Sequence, residues 1–147
     1  MIRITVNQAP KKKRSRREQA FRIFCVDFIR KCCPAVTVVG SMNDVAVGGV
    51  DNKFAYLATL KKMGCILVDE PDLMLRWPLA KTLYIELKDE GEEPRVGQAE
   101  RLSRLTNEGF PAECVDNPDD FIKILKLHGV PMRKGAIYLG PKGVIRL

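Results

Sequence analysis

The sequence predicts a mixed α/β domain in which helices pack on a β-sheet. Two observations carry this. Short β-branched or alternating apolar runs at 36–39, 45–47, 71–75, 83–88 and 111–115 interleave with stretches of helical period, in the order α-β-β-α-β-β-α-β-α. Glycine or proline stands at most junctions, as at Pro34, Gly64, Gly109, Pro118 and Gly129. The chain has 147 residues, 46% hydrophobic and 29% charged, which suits one soluble domain with a substantial core.

Residues 1–6 alternate like a short strand, and 7–10 break it. Residues 11–17 hold six basic residues in seven, so 1–14 is expected to form a basic arm ahead of a domain spanning 15–128. The first helix covers 15–31, with Phe21, Phe24, Cys25, Phe28 and Ile29 at helical spacing and Pro34 beyond its end. Two valine-rich strands follow around a Gly-Ser-Met-Asn-Asp turn. A helix over 51–63 carries Phe54, Leu57, Leu60 and Met63, and Gly64 stops it in left-handed backbone. After the strands at 71–75 and 83–88, an acidic loop at 89–94 leads to a helix over 95–107. Asn117 and Pro118 open the last helix as a cap and first-turn proline, and Gly129 closes it. Residues 129–147 extend the same domain, with a hairpin at 136–147 turning on 140–143.

A net charge of +7 favours a polyanionic partner such as nucleic acid. No apolar run reaches the roughly 18–20 residues that span a bilayer, and the N-terminus lacks an apolar signal core. The five cysteines include no Cys-x-x-Cys pair, and His128 is the only histidine. Zinc sites of ordinary spacing and triad chemistry are thereby disfavoured. The cysteines read as small buried hydrophobes of a cytoplasmic, reducing setting, and His128 as a helix cap.

The most informative stretch is the pair of short strands that each carry an acid. Successive strand residues face opposite ways, so Tyr84, Glu86 and Lys88 share one face, and Leu83, Ile85 and Leu87 the other. A symmetric hairpin centred on Leu79 pairs Arg76 with Thr82 and sets Asp72 directly opposite Glu86. Like charges so placed are destabilising, which argues for a cation between them. Magnesium takes one or two protein carboxylates with waters and substrate phosphate. Asp72 and Glu86 can supply the carboxylates and the Leu87 carbonyl a further oxygen. Lys88 is then placed to handle the attacking water or the charge on phosphorus. A surface ion pair explains Glu86 with Lys88 but leaves Asp72 unaccounted for.

Glu18 lies three and seven positions before Phe21 and Cys25, on the buried stripe of its helix. It can reach the metal site, or bond back to Ser15 in a capping box. Gln98 lies four and seven before Leu102 and Leu105, where it can touch the site or only line a helix–sheet contact. Arg101 and Arg104 beside that stripe are phosphate contacts or solvated arginines. Lys11, Lys12, Lys13, Arg14, Arg16 and Arg17 read as phosphate binders, with a localisation signal as the competing role.

These residues resemble the virus-type replication-repair nuclease (VRR-NUC) family of the PD-(D/E)XK superfamily. The match runs from Ser15-Arg-Arg-Glu18 through Leu60-Lys-Lys-Met-Gly64, Pro71-Asp72-Leu-Met-Leu75, Ile85-Glu86-Leu-Lys88 and Gln98 to the strand at 112–115 and the helix after Asn117. It covers about residues 15–128. The resemblance implies a restriction-endonuclease-like PD-(D/E)XK core and Mg²⁺- or Mn²⁺-dependent cleavage of DNA leaving a 5′-phosphate. It also implies active-site places for Glu18 and Gln98. Short stand-alone members are phage or bacterial homodimers acting on branched DNA such as four-way junctions. The chain departs from the family's Gly-x-Pro-Asp, since Asp69-Glu70 precede Pro71. Those two acids suit a second cation or repel phosphate.

The expectation is therefore a structure-selective endodeoxyribonuclease in which Asp72, Glu86 and Glu18 hold the metal, with the Leu87 carbonyl, and Lys88 and Gln98 complete the site. The alternatives are a flap- or nick-processing nuclease of the same fold and a DNA-binding protein whose acids are structural. A further rival is an assembly protein whose basic arm meets an acidic partner.

Overall fold

The computed structural model describes residues 16–41, 53–64, 69–140 and 143–147. Lys11, Lys12, Lys13, Arg14, Ser15, the valine run at 45–47 and Cys65 lie outside the described residues. Within them the elements run α1 (Arg16–Cys32), β1 (Thr37–Gly40), α2 (Lys53–Lys62), β2 (Leu73–Trp77), β3 (Lys81–Leu87), α3 (Val96–Asn107), β4 (Ala112–Val115), α4 (Pro118–Leu127), β5 (Ile137–Gly140) and β6 (Gly143–Arg146). The four helices fall within two residues of their expected limits.

Helix ends follow the sequence signals. Asn117 caps α4 by accepting the Asp120 amide at 2.9 Å. Gly64 and Gly129, just past α2 and α4, take φ of 73° and 65°, backbone that only glycine adopts without cost. His128 is the C-cap of α4, and its Nε2 sits 2.7 Å from Glu113 Oε1 on β4.

The main sheet has the order β1-β2-β3-β4. β1 and β3 both run antiparallel to β2, and β4 runs parallel to β3 with α3 as the crossover. Alternation sorts the side chains. Leu73, Leu75, Leu83, Ile85 and Leu87 are fully buried and cluster with Phe24, Phe28 and Ile29 of α1 and Phe121 and Leu125 of α4. The opposite face carries Asp72, Met74, Tyr84, Glu86 and Lys88. It meets the α3 segment through Gln98 and through Phe110, whose ring lies 6.1 Å from that of Tyr84. The oily core thus lies on one side of the sheet and the acids on the other.

β5 and β6 pair as a separate hairpin, as expected, and it packs on α1. The Tyr138 ring lies 5.7 Å from Phe24 and 5.2 Å from Phe28, and its hydroxyl donates to Asp27 at 2.6 Å. α2 is more peripheral than its spacing suggests: Leu57 and Leu60 are half-buried and Met63 is exposed. Cys25, Cys32 and Cys33 are core residues, whereas Cys114 departs from expectation and is exposed. Its β4 position pairs with Glu86 on the site face, away from the main core. Among the described residues no helix is long and apolar enough to cross a membrane.

Candidate active site

The β2–β3 hairpin has the register its spacing predicts, with Arg76 opposite Thr82 and Leu73 opposite Ile85. Continued one step beyond its last pair, that register sets Asp72, just ahead of β2, opposite Glu86. Both acids are sealed from water, at 2% and 0% exposure. Asp72 Oδ2 accepts the Leu87 amide at 2.9 Å, which ties the two strands at this end. Lys88, itself buried, donates from Nζ to Glu86 Oε1 at 2.5 Å. Gln98 donates from Nε2 to the same oxygen. Its other end accepts the Arg95 amide at 3.0 Å, capping the start of α3. One carboxamide therefore closes the helix terminus and holds the acid, and this double contact fixes which way it points.

Sequence reading missed Arg22. Its Nη2 donates to the carbonyls of Ser41 at 3.1 Å and Asp72 at 3.3 Å, and Nη1 stands 3.8 Å from Asp72 Oδ1. α1 packs on the core face, so Arg22 reaches the acid around the end of the sheet. Gly40 makes the space: a Cβ there would stand 2.7 Å from Arg22 Nη2. The available signals were the spacing of Arg22 four residues after Glu18 and a glycine ending β1. This changes the electrostatic argument. The like charges of Asp72 and Glu86 are offset by Arg22 and Lys88, so their repulsion alone does not demand a further cation.

Neither a protein-family model nor a curated protein matches the sequence. Solved structures do match. One, a VRR_NUC domain, superposes with TM-score 0.53 at 15% identity, over 76% of this chain and 97% of its own. Another, a VRR_NUC domain protein, gives 0.52 at 19% identity, over 80% of this chain and 90% of its own. This chain has the VRR-NUC fold. Its four-stranded mixed sheet flanked by helices is the mixed α/β arrangement that the sequence pattern predicts.

Within the VRR-NUC fold of this chain, Asp72, Glu86, Lys88 and Gln98 come together, and Leu87 joins them through its amide. Glu18 is half-buried, one turn before Arg22 on α1. Among the described residues no three His, Cys, Asp or Glu side chains form a group able to hold an ion, so Glu18 does not complete such a group with the pair. Arg16 and Arg17 are exposed at the start of α1. Arg104 is exposed and pairs with Glu108 one turn on.

Arg101 is tied down: its Nε and Nη2 both lie 2.9 Å from Glu70 Oε2. Beside it, Asp69 takes φ of 58° and its carboxylate fills the space a side chain at Gly97 would need, in the first turn of α3. The Asp69-Glu70 departure thus straps the strand entry onto α3. Neither a second-cation role nor phosphate repulsion is needed to account for it.

Proposed function

We propose that this chain is a Mg²⁺- or Mn²⁺-dependent endodeoxyribonuclease that cuts branched DNA and works as a homodimer. The observation that carries the reading is the buried trio Asp72, Glu86 and Lys88, joined by the half-buried Gln98, at one end of a VRR-NUC fold. Two water-excluded carboxylates facing each other are costly for stability and useful for chemistry. Their donor set suits a small hard dication: Asp72 and Glu86 offer carboxylate oxygens, with the Leu87 peptide beside Asp72. When bound, such an ion polarises a phosphoryl oxygen and eases ionisation of water.

The chain's own groups do the rest. Gln98 holds Glu86 so that the carboxylate cannot rotate. Lys88, an ion-paired donor in a water-poor site, suits neutralising charge that builds on the phosphoryl oxygens. Arg16 and Arg17 begin the helix that delivers Arg22, about 9 Å or less along its axis. Phosphates flanking the cut can be gripped there, with Lys11, Lys12, Lys13 and Arg14 preceding them in sequence. Arg104, in an exposed pair of small energetic weight, can exchange Glu108 for phosphate, whereas Arg101 must first leave Glu70. Symmetric cutting of a four-way junction takes two such sites, hence the homodimer.

A second reading draws on the same ion pairs. Arg22 and Lys88 offset both acids within the protein, as they would in a DNA-binding protein that does not cleave. Labelled four-way junction, flap and linear duplex incubated with Mg²⁺, Mn²⁺ or a chelator separate the two. Metal-dependent cutting by the wild type, abolished in Glu86→Gln with junction binding retained, is the expected outcome. Gln is chosen because Ala would leave the buried Lys88 amine without an acceptor at Oε1. Tight binding with no cutting under any metal favours the second reading. Light scattering at micromolar concentration is expected to give twice the chain mass, and a monomer would point instead to flap or nick processing.

A further inference from the structure

We propose that the Ser41 hydroxyl belongs to this site and takes a hydrogen bond from the water shell of its divalent cation. The proposal rests on the nuclease reading above and adds a residue that no motif singles out. In the sequence Ser41 reads as part of a turn. In the fold it prolongs β1 instead. Its amide donates to the Asp72 carbonyl at 2.8 Å, one step beyond the ladder that pairs Gly40 with Leu73. The strand registers then set Ser41, Asp72, Glu86 and Cys114 in one row across the sheet. Side chains directly opposed on antiparallel strands share a face, with Cβ atoms about 4.5–5.5 Å apart. The neighbouring Gly40 faces Arg22 of α1, so alternation turns the Ser41 side chain the other way, toward the acids.

The backbone of Ser41 is fully engaged. Its amide is bonded to Asp72, and its carbonyl accepts Arg22 Nη2 at 3.1 Å. The hydroxyl is not. Oγ is sealed from solvent, yet it has no hydrogen-bond partner among the described residues. Such a group is destabilising, because folding strips its water and returns nothing. Its surroundings say what partner fits. Asp72, the next side chain in the row, is one of two buried carboxylates suited to a hard dication. Magnesium bound by one or two carboxylates keeps several waters. A water on a cation donates outward, and a serine oxygen has two lone pairs to accept it. The serine proton then remains for a carboxylate or phosphate oxygen. Since Arg22 and Asp72 already fix the backbone, the hydroxyl is in place before the ion arrives. Ser41 is in this role a positioning residue, orienting water that the cation carries.

The test compares the full-length wild type with Ser41→Ala, which removes the oxygen and leaves the strand. Two quantities are read: the urea midpoint in the presence of a chelator, and Mn²⁺ affinity from the spin resonance of free Mn²⁺. Ser41→Ala is expected to bind Mn²⁺ about tenfold to a hundredfold more weakly, the usual effect of losing a group that orients a metal's ligands. Its metal-free midpoint is expected to stay or rise, since the lost hydroxyl had no partner to lose. A hydroxyl that merely supports the fold predicts the opposite pair, a lower midpoint with affinity unchanged.

Wild-type Mn²⁺ affinity in Ser41→Ala overturns the proposal. So does a clearly lower metal-free midpoint, because the hydroxyl then has a structural partner. If the wild type still cuts branched DNA with Mg²⁺ or Mn²⁺, the nuclease reading survives either result. A wild type that neither binds Mn²⁺ nor cuts overturns both.

Discussion

Gln98 shows how much one side chain can carry. Its carbonyl end caps α3 through the Arg95 amide, and its amide end holds Glu86. Gln98→Ala therefore loses a cap and a hydrogen bond to a buried acid together. A loss of about 2–3 kcal/mol in urea denaturation is expected, with cleavage falling further than stability explains. Gln98→Glu should be worse for activity, because it sets a third carboxylate against Oε1 in place of a donor. The placement of Gln98 on the inner stripe of α3 was legible from its spacing to Leu102 and Leu105. Its double role was not, since that depends on where the helix terminus meets β3.

At the scale of elements, the β2–β3 hairpin was the most readable part of the chain. Alternation and the distance between two acids fixed its register, because slipping by one residue would turn every leucine to the wrong face. Its turn is less expected. Leu79 and Ala80 take φ of 68° and 55°, left-handed backbone costing about 1–2 kcal/mol for each residue with a side chain. Leu79 is also 89% exposed, so its side chain gains little in return. Leu79→Gly is therefore expected to raise the denaturation midpoint, by about 0.5–1 kcal/mol after the added freedom of the unfolded chain is counted. A lower midpoint would mean that the Leu79 side chain makes contacts that outweigh the strain. By contrast, nothing local announces the strap of Glu70 to Arg101, which joins residues 31 apart.

Across the whole molecule, α1 links the core to the site. Phe24 and Phe28 pack against Tyr138 of the C-terminal hairpin, and Arg22, two residues before Phe24, holds Asp72. The sequence foretold the helix and the hairpin separately, but their contact spans 111 positions and leaves no periodic trace. The pairing is pH-sensitive. The Tyr138 hydroxyl and Lys31 hold the Asp27 carboxyl below its ordinary value of 3.8, while burial, then the bond to Asp27, pushes Tyr138 from 10.0 up to about 12. Asp27 thus adds stability above pH 3.8 that is lost as pH falls through its lowered value. Above pH 10 the unfolded tyrosine releases its proton first, so the Tyr138 contribution fades as pH rises toward 12. Tyr138→Phe is expected to flatten both limbs of the stability–pH curve, measured by urea denaturation, and to cost about 1–2 kcal/mol near neutrality. An unchanged curve would show that the hydroxyl is not engaged.

The separation between near and distant partners has a kinetic side. The acids sit on a hairpin closed by a three-residue turn, and such hairpins form in about 1–10 μs. Lys88, two positions from Glu86, arrives with it, whereas the arginine facing Asp72 must come from 50 residues away. Early in folding the two carboxylates therefore meet before the Arg22 guanidinium can stand beside Asp72. Salt should relieve that transient repulsion, so stopped-flow refolding is expected to accelerate with ionic strength while unfolding changes little. The local pairing that brings the acids together thus raises a charge problem that only a residue distant in sequence can relieve.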